Sequence, residues 1–205
     1  KKKLYKQYKH LTDVKVVCIM KFPINDTTTT SLTLFVPKTK EAVYYLVEEF
    51  NLGIEKDIID KILDAAKVAP TGCNYQPQRI LVINKDETLA KLKDCTRCHF
   101  DAPCAMLVCY SKDECWTRPY DGNQSGIVDA SIVTTHMMLE AWELGVGSTW
   151  VMHFNPFKMR EAFEIPENIE PVALLVMGYP APDAVPNERH TVYRPTEETV
   201  SYNKF

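Results

Sequence analysis

The alternation of apolar and polar positions divides the chain from residue 55 onward into helical and extended segments. Ile58, Ile59, Ile62, Leu63 and Ala66 recur at three- and four-residue spacing, which predicts an amphipathic helix over 55–67. Pro70 stops it. The run from Arg79 to Asn84 is short, apolar and rich in branched residues, and reads as a buried strand. A helix over 86–94 and a strand over 104–110 follow. Between 127 and 144 the chain carries Ile127, Ala130, Ile132, Met137, Met138, Leu139, Ala141 and Trp142, too apolar for a helix with one wet face. That helix is expected at the centre, packed on the sheet and on a partner subunit. Gly145 and Gly147 end it. Strands over 148–152 and 171–178 complete the pattern, separated by a helix whose Asn155-Pro156 start supplies an N-cap and a proline at the first helical position. Upstream, 39–50 looks helical, and Val14 to Met20 and Ser31 to Val36 look extended. The sum is an alternating organisation of helices and strands.

Composition narrows the class without choosing a function. A chain of 205 residues, 45% of them hydrophobic, can bury the core of one domain. Its formal charge of −3 leaves no electrostatic footprint for nucleic acid, and the cluster Lys1, Lys2, Lys3, Lys6 and Lys9 reads as a solvated terminus. No apolar stretch reaches the roughly 20 residues that span a bilayer, so no membrane is expected. No signal-peptide pattern is found either, and a reducing cytoplasm is the default location. The cysteine count of seven is odd, which argues against a fully paired disulfide framework. Cys95-Thr96-Arg97-Cys98-His99 spells the attachment pattern of a c-type haem, and with Cys104 it offers zinc-ligand chemistry. Haem attachment needs an exported chain and a second axial ligand, and zinc would need a second CxxC or HxxxH pair that is missing. The expected role is structural, with no metal: Cys104 and Cys109 are small apolar residues of a strand, and Cys95 and Cys98 sit in the connection before it.

The chemistry concentrates in residues 68 to 79, Val-Ala-Pro-Thr-Gly-Cys-Asn-Tyr-Gln-Pro-Gln-Arg, where a helix turns into a polar loop and then a strand. Thr71, Asn74 and Gln76 offer hydroxyl and amide groups that donate and accept at once. A ligand with alternating donors and acceptors along one edge, such as a flavin ring, matches them. A phosphate would call for more glycine or positive charge.

Ala69 to Pro77 resembles the loop Ala-Pro-(Ser/Thr)-x-x-Asn-x-Gln-Pro of the nitroreductase family of FMN-dependent oxidoreductases. The resemblance continues through Gly126 to Ile132 and the helix after it, through Leu144 to Val151, and through Val176 to Pro180, covering roughly residues 41 to 205. It implies an α+β fold, a nitroreductase-like three-layer sandwich with a mixed, mainly antiparallel sheet of about five strands flanked by helices, built as a homodimer whose two FMN sites each draw residues from both chains. The family-like domain would run over 39–205, with 1–38 an extension of unknown role. By that resemblance Pro70, Thr71, Gly72, Asn74 and Gln76 line one side of the flavin. Trp150, Val151, Met152 and His153 match the family strip whose backbone lies over the ring and donates an N–H toward N5. Glycine is commoner where Met152 stands. Arg194, in His190 to Pro195, matches the arginine that meets the FMN phosphate, which a guanidinium binds through two parallel hydrogen bonds.

The resemblance further implies ping-pong transfer from NADH or NADPH to a small aromatic acceptor, a nitroaromatic or a quinone. Flavin carries that chemistry, so no catalytic acid, base or nucleophile is expected: His99, His136 and His153 are not read as catalytic, and His136, inside the Met-rich helix, is read as structural. Trp116, Tyr120 and Asp121 to Gln124 are expected to form a loop over the pocket. One departure stands out: the family's Arg-x-Ser-x-Arg segment near the first helices has no counterpart, and no arginine precedes Arg79. A flavin-binding or dimeric interaction protein without turnover is the alternative class. FMN enzymes of other chemistry, such as reductive dehalogenation or flavin fragmentation, share the scaffold.

Overall fold

Among the described residues, the periodic segments form the elements their spacing predicts, and the polar punctuation sets the ends. The computed structural model describes residues 14–24, 28–37, 53–181 and 184–205. It divides into two units, Lys1–Gly53 and Ile54–Phe205. In the first, β1 (Val14–Ile24) pairs antiparallel with β2 (Thr28–Pro37). The helix expected over 39–50 lies outside the described residues.

In the second unit the order is α1 (Lys56–Val68), a single 3-10 turn (Gly72–Asn74), β3 (Gln78–Ile83), α2 (Asp86–Cys95), β4 (Cys104–Ser111), α3 (Gly126–Glu143), β5 (Gly147–Val151), α4 (Pro156–Ala162) and β6 (Ile169–Gly178). A second 3-10 turn (Glu188–Thr191) and the short α5 (Thr196–Thr199) follow. The sheet has four strands in the order β3-β4-β6-β5. Each neighbouring pair is antiparallel, where a mixed sheet of about five strands was expected. The reason lies in the connections. α2 and α4 each return the chain to an adjacent strand running the opposite way. β4 and β5 are parallel to each other, but β6 lies between them.

Every residue of β4 is buried, as a strand covered on both faces must be. Cys104, Met106, Val108 and Tyr110 join the cluster beneath α1 and α3, while Ala105, Leu107 and Cys109 join the cluster beneath α2 and α4. Burial holds the thiols of Cys104 and Cys109 protonated, pushed up to about 11 and about 12. The register shifts by one residue between Val108 and Cys109, and this bulge lets Val172 and Ala173 face the same cluster.

Helix ends follow local chemistry. Gly145, at φ +77°, carries the chain out of α3. Its N–H donates to Trp142 O and the Val146 N–H donates to Ala141 O, the two bonds of a Schellman motif. The Asn155 side chain accepts from the N–H groups of Phe157 and Lys158, capping α4 as its sequence predicts.

Candidate active site

The loop between α1 and β3 is strained and tightly bonded. Cys73, Asn74 and Gln76 all have positive φ, at +50°, +59° and +52°. A left-handed residue other than glycine costs about 1–2 kcal/mol. Three within four positions persist only because neighbouring groups hold them, and strain of this kind gathers at ligand sites. Here the neighbours are identifiable. The Thr71 hydroxyl accepts the Gln76 N–H at 3.1 Å, and the N–H groups of Asn74 and Tyr75 donate to Thr71 O and Gly72 O. Gly72 sits so close to α3 that a Cβ there would lie 3.0 Å from Ser125 Oγ and 3.1 Å from Trp116 Cβ. Its N–H donates to Asp129 Oδ1 at 2.8 Å, and the Ser125 hydroxyl donates to Asp129 Oδ2 at 2.6 Å.

Asp129 is only 1% exposed. This carboxylate is the anchor of the loop and went unassigned from sequence. A signal was present: it shares the helix face of Gly126, Ala130, Val133 and Met137, where an acidic side chain stays only if paired. With the loop so held, the side chains of Asn74, Tyr75 and Gln76 are exposed. Pro70 is exposed as well, whereas the Thr71 hydroxyl is engaged within the loop. At the start of β3, Gln78 Oε1 is a buried acceptor without a partner.

Trp150 to His153 form a second constellation at the end of β5. Trp150 is half-buried and packs on the α1/α3 cluster, and Val151 is buried in the opposite cluster. Met152 and His153 emerge, with Met152 67% exposed. The backbone of this strip is tied to the C-terminus of α2. The Thr96 hydroxyl donates to His153 O at 2.5 Å, and the Asn155 N–H donates to Cys95 O at 2.8 Å. The CxxCH motif therefore contributes through Thr96 and backbone. Cys95 is buried, its thiol donates to Lys91 O at 3.4 Å, and burial followed by the charge of Asp94 pushes its pKa up. The His99 ring accepts the Asp101 N–H at 3.0 Å.

The structure does not bring the predicted residues together within one chain. Loop 71–76 leads into β3 and the strip leaves β5, both at the same end of the sheet but on opposite edges. Three strand spacings separate those edges, about 14 Å. Arg194 joins neither group: its guanidinium is 79% exposed and reaches only Glu198, at 3.4 Å. Every described residue from 184 to 205 is exposed. The Trp116–Ser125 loop is closed on itself by the Arg118–Asp121 ion pair and by bonds from Arg118 N to Asn123 O and from Ser125 N to Trp116 O. Tyr120 is fully outside it.

Comparison with known proteins places this arrangement. The profile of the nitroreductase family matches residues 51–108 and 99–179. The crystal structure of a nitroreductase family protein from Clostridium difficile 630 superposes with a TM-score of 0.70 at 47% identity, covering 76% of this chain and 91% of that one. An FMN-dependent nitroreductase from Clostridium difficile R20291 superposes with a TM-score of 0.60 at 25% identity, over 76% of this chain and 92% of that one. A Methanothermobacter thermautotrophicus protein, named as a candidate NADH dehydrogenase/NAD(P)H nitroreductase, is 30% identical over 136 residues, which are 62% of this chain and 68% of that protein. Since the family profile spans loop, strip and the helix between them, this chain belongs to the nitroreductase family.

Proposed function

We propose that the protein is an FMN-dependent oxidoreductase that moves electrons from NADH or NADPH to nitroaromatic or quinone-type acceptors by a ping-pong mechanism, as a homodimer in the reducing cytoplasm. The observation that carries this reading is the Ala69–Pro77 loop, held by Asp129 in a strained shape that turns Asn74 and Gln76 outward. Amide side chains there match the donors and acceptors on the edge of a flavin ring. The exposed strip at 152–153 adds backbone N–H groups, and Arg194 supplies a fork for a phosphate. The donor set therefore fits FMN as two half-sites, and their separation across the sheet favours a second copy as the source of the other half. Cys73, Cys95, Cys98, Cys104, Cys109 and Cys115 are free thiols, which suits a reducing compartment. We assign the family-like domain to 39–205 and treat 1–38 as an extension.

When bound, FMN supplies the hydride and electron transfer, and the protein's part is to hold, orient and shield it. Loop 71–76 would line one side of the flavin, the strip would offer a backbone N–H to its reactive edge, and Arg194 would neutralise the phosphate. No side chain of the site needs to gain or lose a proton in this scheme.

The absorption spectrum of the purified protein, an FMN titration and anaerobic addition of NADH or NADPH test the reading. Flavin bands that bleach with reduced nicotinamide are expected. Arg194→Ala should then weaken FMN binding by about tenfold to a hundredfold, the worth of one charge-assisted contact. No arginine precedes Arg79, and this favours a second reading, an interaction protein without turnover. A colourless protein that FMN neither binds nor stabilises would establish it instead.

A further inference from the structure

Thr96 stands between two cysteines in a segment that the flavin chemistry does not use, yet its hydroxyl is the most committed polar group near the β5 strip. It is 6% exposed, donates to His153 O at 2.5 Å and accepts the Cys98 N–H at 2.9 Å. The bonds that follow fix three successive peptides. With the His153 carbonyl turned inward to Thr96, the Phe154 N–H of the same planar trans peptide points the other way, and it donates to Met152 O at 3.0 Å. That bond closes a three-residue turn with His153 at its centre. Because the Met152 carbonyl is turned into this bond, the His153 N–H on the same peptide points outward. It meets no acceptor among the described residues. The Asn155 N–H, bonded to Cys95 O, fixes the far end. His153 carries no positive φ, so the turn is of the common, unstrained kind.

We propose that Thr96 is a positioning residue for the redox site: its hydroxyl locks the 152–155 turn so that the His153 backbone N–H is presented as the hydrogen-bond donor to the flavin's reactive edge. This rests on the FMN reading above and settles which N–H of the Met152-His153 pair serves. Thr96 itself touches neither ligand nor substrate. A donor aimed in advance at a centre where electron density builds up favours the reduced state, whereas a turn that must reorganise does not. Thr96 therefore acts on reduction of the flavin more than on its retention.

The test compares Thr96→Val, which keeps the shape and removes the hydroxyl, with Thr96→Ser, which keeps the hydroxyl. In FMN-loaded protein, Thr96→Val is expected to lower the flavin midpoint potential, alter the visible spectrum and slow reduction by saturating NADH by about tenfold or more, with KM for NADH little changed. Thr96→Ser should restore all three. A Thr96→Val protein with the parent potential and rate overturns the proposal, as does a Thr96→Ser protein impaired to the same degree. Amide exchange in flavin-free protein reads the turn alone: the Phe154 and Asn155 N–H groups should exchange about tenfold faster in Thr96→Val and at the parent rate in Thr96→Ser. Unchanged protection in Thr96→Val overturns the clamp. FMN titration of the parent protein reports separately on the cofactor. A parent that takes up no FMN overturns the flavin role, while the exchange result still decides whether Thr96 holds the turn.

Discussion

Asp129 couples the interior of α3 to a loop whose own conformation is unfavourable. Its two carboxylate oxygens take one donor each, from Gly72 and Ser125, and hydrogen bonds to a charged acceptor are worth about 1.5–3 kcal/mol. Asparagine in its place can still accept from Gly72 and turn its NH2 to Ser125 Oγ, so Asp129→Asn should cost only about 1–2 kcal/mol in urea unfolding. Alanine leaves the Gly72 N–H without a partner inside the protein and frees the strained residues 73–76 to relax. Asp129→Ala should therefore cost about 3 kcal/mol or more and weaken FMN binding beyond what Asn does. An alanine variant as stable as the parent would remove Asp129 from its anchoring role. Asp129 and Thr96 are alike in that each holds backbone of the proposed site without itself being one of the groups proposed to meet the ligand. The apolar spacing around Asp129 marks it as an acid on a buried face. Thr96 leaves no comparable mark: a threonine between cysteines carries no periodicity, and the surrounding motif points toward metal chemistry instead.

At the scale of elements, α3 fits the sheet through Gly126, the first residue of the helix. A Cβ added there would lie 2.1 Å from the ring of Tyr110, well inside any real contact, and that ring is itself buried in β4. Neither partner can retreat without moving the helix start, to which Ser125 and Asp129 attach the loop. Gly126→Ala should cost about 2–3 kcal/mol by overpacking, read as a shifted denaturant midpoint with an unchanged m-value. A midpoint equal to the parent's would show that the contact relaxes freely. The elements themselves were legible because their signals are local: the stripe of α1, the unbroken apolar run of β4 and the Asn155-Pro156 start of α4 each specify one segment. Strand order was not legible. The insertion of β6 between β4 and β5 depends on pairings between residues 23 to 73 positions apart, and no periodicity encodes which edge a strand joins. That order puts the loop and the strip on opposite edges, so candidate residues could be named from sequence while their separation could not.

At the scale of the whole molecule, the unit Ile54–Phe205 exposes apolar surface on its helices. α3 buries one face and presents Leu139, at 62% exposure, and Trp142, at 75%, on another, beside Val68 at the end of α1. Between α1 and α3 runs a groove of about 510 Å³ lined by Ala65, Val68, His136 and Leu139, with Lys61, Asp64 and Glu140 among its charged groups. Exposed apolar surface rimmed by charge is the common form of a subunit interface. If two copies meet so that the loop of one faces the strip of the other, each site is shared, and this has a consequence that a self-contained site lacks. Asn74→Ala with Gln76→Ala disables the loop half. His153→Pro disables the strip half by removing its N–H, at a position that carries no positive φ. Each variant alone should form dimers that bind FMN poorly. In a dimer of one of each, one site combines both defects and the other has an intact loop facing an intact strip. After random mixing half the dimers are of this kind, so about a quarter of all sites should regain FMN and NADH-dependent reduction. Mixing the two variants by co-expression and counting bound flavin per dimer reads this directly. Recovery near a quarter requires a shared site, whereas no recovery from mixed dimers would mean that each chain builds its site alone, and the separation of loop and strip across the sheet would need another explanation.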